Sequence, residues 1–456
     1  MVENEAAYAS STDGGIWVEI LVLGAGPGGI SAALEALRHG HRVTIIDPEG
    51  LGGNALKHSL VPSKVLIQAA DVERKMADWG VGSLSHGEDW TRLMAWQKER
   101  VQAGIHAAAV QLQRARIIEE AADWLSPREV VTAKSHTVLQ GDVVIIAVGS
   151  RQRLIPGLKP DGSRVLLPRA LGTMTALPDA LTIIGAGATG LEAASLFSQF
   201  GASVEVYVAS DALLPNWNVG LGTGLLDALQ RCGVTWHFGR RVVDLSDAGE
   251  TAVRIQWRSP AGDGEAVRPS VLLDTGRIPV WDAAILQPLG FALDPLGFFA
   301  VSSVGETSVD GVYAVGDAAA GLKLASQAWM QGQSAVRHAL GIPTKTAASM
   351  VEAIFTHPEV ARVGVPTDRR YRLAPNHSGL YHALLQGEEK AYGVIYADDK
   401  DGIKGAEFMG SGAAEAASLV SLAIDAGLSA DALAAVGAAS PTSAEWFWTL
   451  SRERTF

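Results

Sequence analysis

A single cysteine, Cys232, in a chain of 456 residues excludes an intrachain disulfide and any metal site built on several thiolates. No metal site is expected. The scarcity of thiols fits a reducing compartment, and a cytoplasmic location is expected. Long hydrophobic runs are also lacking. None approaches the ~20 residues a membrane helix needs, and the longest, such as DVVIIAVGS, have strand length. Basic residues are outnumbered, 37 Lys and Arg against 49 Asp and Glu, for a net charge of −12. An acidic surface disfavours nucleic acid and anionic membranes as partners. The opening residues, MVENEAAYASSTDGG, have no apolar stretch for a secretory signal and read as a disordered tail over 1–15. What remains is a globular composition, 48% hydrophobic and 19% charged, long enough for about two to four domains.

What is present in abundance is glycine at particular spacings. In VEILVLGAGPGGISAALEALRHGHRVTIID an apolar run ends at Leu23, and Gly24, Gly26 and Gly29 follow in the G-x-G-x-x-G spacing. A helix-period pattern and a second apolar run ending at Asp47 complete the unit. Gly24 permits a tight turn, Gly26 lets the backbone approach a pyrophosphate, and Gly29 lets the helix pack closely on its strand. The helix N-terminus offers free N–H groups to phosphate, and Asp47 is placed to accept hydrogen bonds from a ribose. The unit recurs in LTIIGAGATGLEAASLFSQFGASVEVYVAS, where Gly185, Gly187 and Gly190 hold the same spacing. There the second run ends at Val208, followed by Ala209 and Ser210, with no carboxylate for a ribose hydroxyl and no arginine for a 2′-phosphate. Two further apolar runs, VVIIAVGS with Gly149 and VLLDTGRIP, read as short buried strands ending in glycine. GVYAVGDAAAGLKLASQAWMQGQ reads as strand, Gly316-Asp317, then helix, and Asp317 can hold a ribitol hydroxyl.

These motifs, with FTHPEVARVG, GSGAAE and SPTSAE following in order, make the chain resemble the pyridine nucleotide–disulfide oxidoreductases, such as dihydrolipoamide dehydrogenase, glutathione reductase and mercuric reductase. The resemblance runs from about Val18 to about Trp448. It implies an α/β fold with two Rossmann-like dinucleotide-binding domains and a C-terminal α+β dimerisation domain. The division it suggests is a FAD-binding domain over 16–150 and 271–342, an NAD(P)-type domain over 151–270, and a dimerisation domain over 343–456. FAD is the implied cofactor, held by Gly24, Gly26, Gly29, Asp47, Gly53, Lys64, Gly149 and Asp317. A homodimer is the implied assembly. Lys64 and Glu192 match the ion pair that the family keeps beside the flavin, where a cation stabilises developing negative charge.

The departures from the family are as informative as the matches. The family reads Gly-Gly-x-Cys-x4-Cys-x-Pro-Ser-Lys where this chain reads GGNALKHSLVPSK, with Ala55 and Leu60 at the cysteine positions. Neither residue can form a thiolate or a mixed disulfide. Ser440 stands where the family places a catalytic histidine, although Glu445, the acid that orients it, remains. A serine of ordinary pKa is a poor base. Val208 replaces the ribose-binding acid, and Ala188 stands where many members carry a tyrosine over the nicotinamide. NAD(P)H as a cofactor is therefore an open question.

Several residues remain as candidates beside ordinary structural readings. His58, with Lys57, Asn54 and Ser59, lies inside the altered stretch, and His58 could transfer protons or point away. Glu445 could act alone as a buried acid or cap a helix. Ala55, Leu60, Ala188, Ser440 and Trp446 are candidates for lining a substrate pocket, with Trp446, Phe447 and Trp448 read as pocket aromatics or as packing. Cys232 and His357 read as structural. The Ala-rich stretch from Ala413 reads as two helices broken at Gly427, with Ser429 as N-cap. The function expected is a flavoenzyme that oxidises or reduces a non-thiol small molecule through the flavin. The alternatives are a non-redox cyclase or isomerase that keeps FAD as a pocket wall, an NAD(P)H-dependent diaphorase or quinone reductase, and a non-enzymatic flavin-bound scaffold.

Overall fold

The computed structural model of the chain describes residues 17–82, 88–344, 346, 349–373, 381–386 and 391–449. The tail expected over 1–15 lies outside the described residues. Five short runs, Glu19–Leu23, Arg42–Ile46, Arg116–Ile118, Val143–Ile146 and Val312–Ala314, form one parallel sheet. Their spatial order is 312–314, 143–146, 19–23, 42–46, 116–118. The three central strands are apolar almost throughout, as a strand covered on both faces must be. Helix α1, Pro27–Arg38, crosses between the first two of them and starts directly at the glycine turn. Gly24 has φ +103°, and a Cβ there would stand 2.3 Å from the Ala147 carbonyl oxygen. No other residue type fits that turn.

Three helices then wrap the edge of this unit: α2, Gly53–Lys57, α3, Leu60–Trp79, and α4, Glu88–Gln111. A second parallel sheet repeats the plan with strands Val165–Leu166, Ala180–Ile184, Ser203–Tyr207, Thr235–His237 and Val271–Leu273, and with α5, Ala188–Gln199, after its glycine turn. Val271–Leu273 was grouped by sequence with the first unit, in the segment 271–342. It pairs instead with Ala180–Ile184 of the second sheet, Thr182 facing Val271. A three-residue apolar strand looks the same in either sheet, so its pattern could not assign it. The chain crosses between the two units twice, and the crossings pair antiparallel, Arg277–Pro279 against Ser150–Gln152.

The C-terminal part is an antiparallel sheet in the order 351–354, 360–364, 403–409, 392–397, 369–373. The helix Ala413–Asp425 packs on it through Ala413, Ala416, Ala417 and Val420, all fully buried. The expected break at Gly427 is present, and Ser429 Oγ accepts the Ala432 N–H at 3.2 Å, although the second helix is short, Ala430–Ala434. Glu407, buried in this sheet, accepts the Asn218 N–H at 3.0 Å and the Tyr396 hydroxyl at 2.9 Å, tying the sheet to the second unit. Among the described residues no helix is long and apolar enough to cross a membrane.

Where the C-terminal sheet meets α5, two half-buried titratable groups sit two residues apart. His357 donates its N–H to Ser195 Oγ at 2.8 Å, and Glu359 accepts the Ala414 N–H at 2.9 Å. Burial lowers the imidazole to about 4, with the charge of Arg74 adding to it. Burial raises the Glu359 carboxyl to about 7, opposed by the Ala414 N–H. The histidine contribution to stability is complete above its ordinary 6.5 and is lost as pH falls toward about 4. The glutamate contribution is complete below its ordinary 4.5 and is lost as pH rises toward about 7. The slopes oppose each other across the shared window. Glu359→Gln removes one slope, so its thermal midpoint should fall steadily on acidification from about 6.5 to about 4.5, where the parent changes less. Superimposable pH profiles for the two proteins would refute this linkage.

Candidate functional site: a dinucleotide cavity with an apolar floor

The first glycine turn opens onto a cavity of about 440 Å³. Gly24, Gly26 and Gly28 bound it from the turn, Asp47 and Glu49 from the end of strand 42–46, and Gly149 and Ser150 from the end of strand 143–146. Gly53, Asn54, Ala55, Ser59 and Leu60 bound it from α2 and the start of α3, and Gly316 and Asp317 from beyond strand 312–314. A Cβ on Gly26 would have nothing nearer than the Gly53 Cα at 4.0 Å, so the turn leaves open space above the start of α1. No side chain caps that helix, and its free N–H groups face this space. Asp47 fixes the turn, its carboxylate accepting the N–H groups of Ala25 and Glu49, both at 2.8 Å. A cradle with uncapped N–H groups and a strand-end carboxylate fits the pyrophosphate and ribose of FAD.

At the other end, Asp317 accepts the Ser150 hydroxyl at 2.7 Å and pairs with Arg277 Nε at 3.0 Å. Gly316–Ala318 is a 3-10 turn, and the long helix expected directly after Asp317 starts only at Ala325, running Ala325–Ala339. Arg277 was not singled out by sequence. It comes from TGRIP and is brought here by the second chain crossing.

Ala55 and Leu60 both line the cavity, and Leu60 is 42% exposed. Asn54 and Ser59 line it too and bond to each other, Asn54 Nδ2 donating to Ser59 Oγ at 2.9 Å. One helical turn past Leu60, Lys64 Nζ lies 2.7 Å from both carboxylate oxygens of Glu192 on α5. The ammonium also stands 4.5 Å from the centre of the Phe355 ring, and Glu192 accepts the Phe355 N–H at 3.1 Å. Lys64 and Glu192 are not among the residues that line the cavity.

The other predicted residues fall elsewhere. His58 points to Glu49 at 2.6 Å, with the Arg169 guanidinium 3.1 Å from the same ring nitrogen. This hydrogen bond pulls the Glu49 carboxyl below its usual range. His58 itself does not line the cavity, but it bonds to Glu49, which does. Ala188 is exposed at the start of α5, and Ser440 is exposed on its loop. Trp446 does not line the cavity. It is 1% exposed in the C-terminal core with its ring 5.2 Å from Phe408, edge to face. Phe447 is buried beside it, because the 3-10 turn Ser443–Thr449 brings both rings between sheet and helix. Glu445 is fully buried; Oε2 accepts the His382 N–H at 3.0 Å, and Oε1 has no hydrogen-bond partner among the described residues.

The second glycine turn repeats the backbone of the first. Gly185 N donates to Tyr207 O at 2.9 Å, and Leu191 N to Gly187 O at 2.9 Å. Val208 is buried at the strand end. An arginine does reach this end from elsewhere in the chain: Arg240 donates its N–H to Val208 O at 2.9 Å, and its guanidinium lies 4.9 Å from the Trp257 ring centre.

Comparison with known proteins places these features. A family model described as pyridine nucleotide-disulphide oxidoreductase matches residues 18–332, and the dimerisation domain of the same family matches 350–451. The chain is 27% identical over 453 residues to dihydrolipoyl dehydrogenase 2 of Haloarcula marismortui, covering 94% of each. It is 32% identical over 372 residues to NAD(P)H dehydrogenase (quinone) of Mycobacterium tuberculosis, covering 76% of this chain and 74% of the relative. Among solved structures, LpdA from Mycobacterium tuberculosis superposes with a TM-score of 0.86 at 26% identity, covering 95% and 99% of the two chains. The HOCl-induced flavoprotein disulfide reductase RclA from Escherichia coli superposes at 0.82 with 21% identity, covering 95% and 99%, which speaks to the fold alone.

Removal of the strand-end carboxylate tests the cofactor cradle. Asp47→Ala should weaken FAD retention about tenfold or more, read as flavin released on dialysis. Retention equal to the parent would take Asp47 out of the cofactor grip.

Proposed function

The chain belongs to the pyridine nucleotide-disulphide oxidoreductase family, and from that premise we propose that it is a FAD-dependent oxidoreductase acting on a non-thiol organic molecule rather than on a disulfide. The observation that carries this reading is that Ala55 and Leu60, at the two positions the family gives to its redox cysteines, both face the cavity. Neither side chain can accept or pass electrons as a thiol pair does. A methyl and an isobutyl group present an apolar surface instead, suited to the face of an organic substrate.

FAD, when bound, supplies a ring that takes up and releases electron pairs. The contribution of this chain's residues is electrostatic and steric. Glu192 holds the Lys64 ammonium with both oxygens, and Phe355 offers its ring face, so the cation is fixed before any charge develops. Asn54 and Ser59, bonded to each other, are the polar groups nearest in sequence to the apolar pair, and they are suited to orienting a substrate oxygen. At Ser440 the chain carries a hydroxyl in place of an imidazole, and the proton is assigned to substrate or solvent.

A second reading, an NAD(P)H-dependent quinone reductase, is favoured by the 32% identity to the mycobacterial NAD(P)H dehydrogenase (quinone). It too needs no cysteines. The two readings separate in anaerobic mixing of the holoenzyme. The first expects NADH, NADPH and dihydrolipoamide to leave the flavin absorbance unchanged, and the photoreduced flavin to be reoxidised promptly by a quinone and not by lipoamide. The second expects prompt bleaching by NADH or NADPH. Turnover of a disulfide substrate would remove both. In the protein that retains FAD, Lys64→Met should slow flavin turnover with the competent reactant about a hundredfold. An unchanged rate would place Lys64 outside the chemistry.

A further inference from the structure

The two glycine turns of this chain are internal controls for each other. In each, the first glycine lies against the residue that ends a neighbouring strand. A Cβ on Gly24 would stand 2.3 Å from the Ala147 carbonyl oxygen, and a Cβ on Gly185 would stand 2.0 Å from the Asp274 carbonyl oxygen. The N–H of Ala147 donates to Leu23 O at 2.7 Å, and that of Asp274 to Ile184 O at 2.8 Å. Ala147 and Asp274 are therefore the same position in the two units. One carries a methyl group, the other a carboxylate.

That difference changes what each turn can receive. Above Gly26 there is open space. At the equivalent Gly187, a Cβ would meet Asp274 Oδ2 at 2.7 Å, and at Gly190 the same oxygen at 2.8 Å. Asp274 Oδ2 accepts the Gly190 N–H at 2.8 Å, and the Gly187 N–H bonds to the carboxylate as well. These donors, with the positive end of α5, are what this fold offers to a pyrophosphate. The chain fills the position with an acid of its own. Val208, at the strand end, offers no carboxylate to a ribose.

We infer that Asp274 is a specificity-determining residue: its carboxylate occupies the anion position of the second dinucleotide turn and excludes the pyrophosphate of a pyridine nucleotide. The residues present at this turn do not fit NAD(P)H as they fit FAD in the first unit. In its charged form Asp274 repels the phosphates. In either protonation state it withholds two of their donors. Glu192, on the same helix, adds negative charge, and Arg277, paired with Asp317, partly offsets it. Exclusion of NAD(P)H agrees with the first proposed reading and opposes the second, whatever organic molecule the first cavity takes.

The test is direct binding of NAD+ and NADP+, which carry the pyrophosphate and cannot reduce the flavin, so its outcome is separate from that of the anaerobic mixing. Calorimetric titration of the holoenzyme should show no saturation below about millimolar nucleotide. Asp274→Ala should tighten binding of at least one of the two by about tenfold or more. Asp274→Asn, which removes the charge and keeps an acceptor oxygen, should fall between. Retained flavin absorbance shows that each variant is folded, and Asp274→Asn decides the matter if Asp274→Ala is not. Micromolar binding by the parent, or no gain in the folded variants, overturns the assignment.

Discussion

Lys64 and Glu192 join three parts of the molecule at one point. Lys64 belongs to α3 of the first unit, Glu192 to α5 of the second, and Phe355 precedes the C-terminal sheet. The ammonium is about a quarter exposed and the carboxylate about an eighth. A pair in that position gives up much of its hydration, and both oxygens must be engaged to offset the loss. They are, by Lys64 and by the Phe355 N–H. Removing one partner would leave the other partly buried and unpaired, which is commonly more damaging than replacing both. One contact thus takes part both in the junction of the three units and in the electrostatics near the candidate site.

The same economy explains the cavity. Its walls are ends of elements: a glycine turn, three strand ends and two helix starts. Such ends leave backbone donors unpaired, and the first unit leaves those of α1 available. The floor departs from this polar character. Ala55 and Leu60 add to an apolar lining that also takes in Leu23, Ile46, Val148, Trp281 and Val315.

How much of this could be read from residues alone depended on the range of the contact. The first glycine turn, with Gly24, Gly26 and Asp47, is set by local sterics and was legible. So was Ser429 as a cap. The wrong assignment of Val271–Leu273 came from a strand whose partner lies nearly ninety residues away, Thr182 facing Val271. His58 does not line the cavity and is held by Glu49, which does, and by Arg169, 111 residues away. Trp446 followed a motif and looked available, but burial of a large ring between sheet and helix outweighed that placement. Asp274 stood in plain view before Thr-Gly-Arg. Its meaning needed the pairing that sets it beside Gly187 and Gly190.

The paired crossings, Ser150–Gln152 and Arg277–Pro279, have a topological meaning of their own. Every strand of the first sheet lies before residue 147 or after residue 311, so that sheet is complete without anything between. The second unit is an insertion whose entrance and exit lie side by side. In building terms it is a room added through one doorway, and Arg277, standing in that doorway, reaches back to hold Asp317 of the house it was added to.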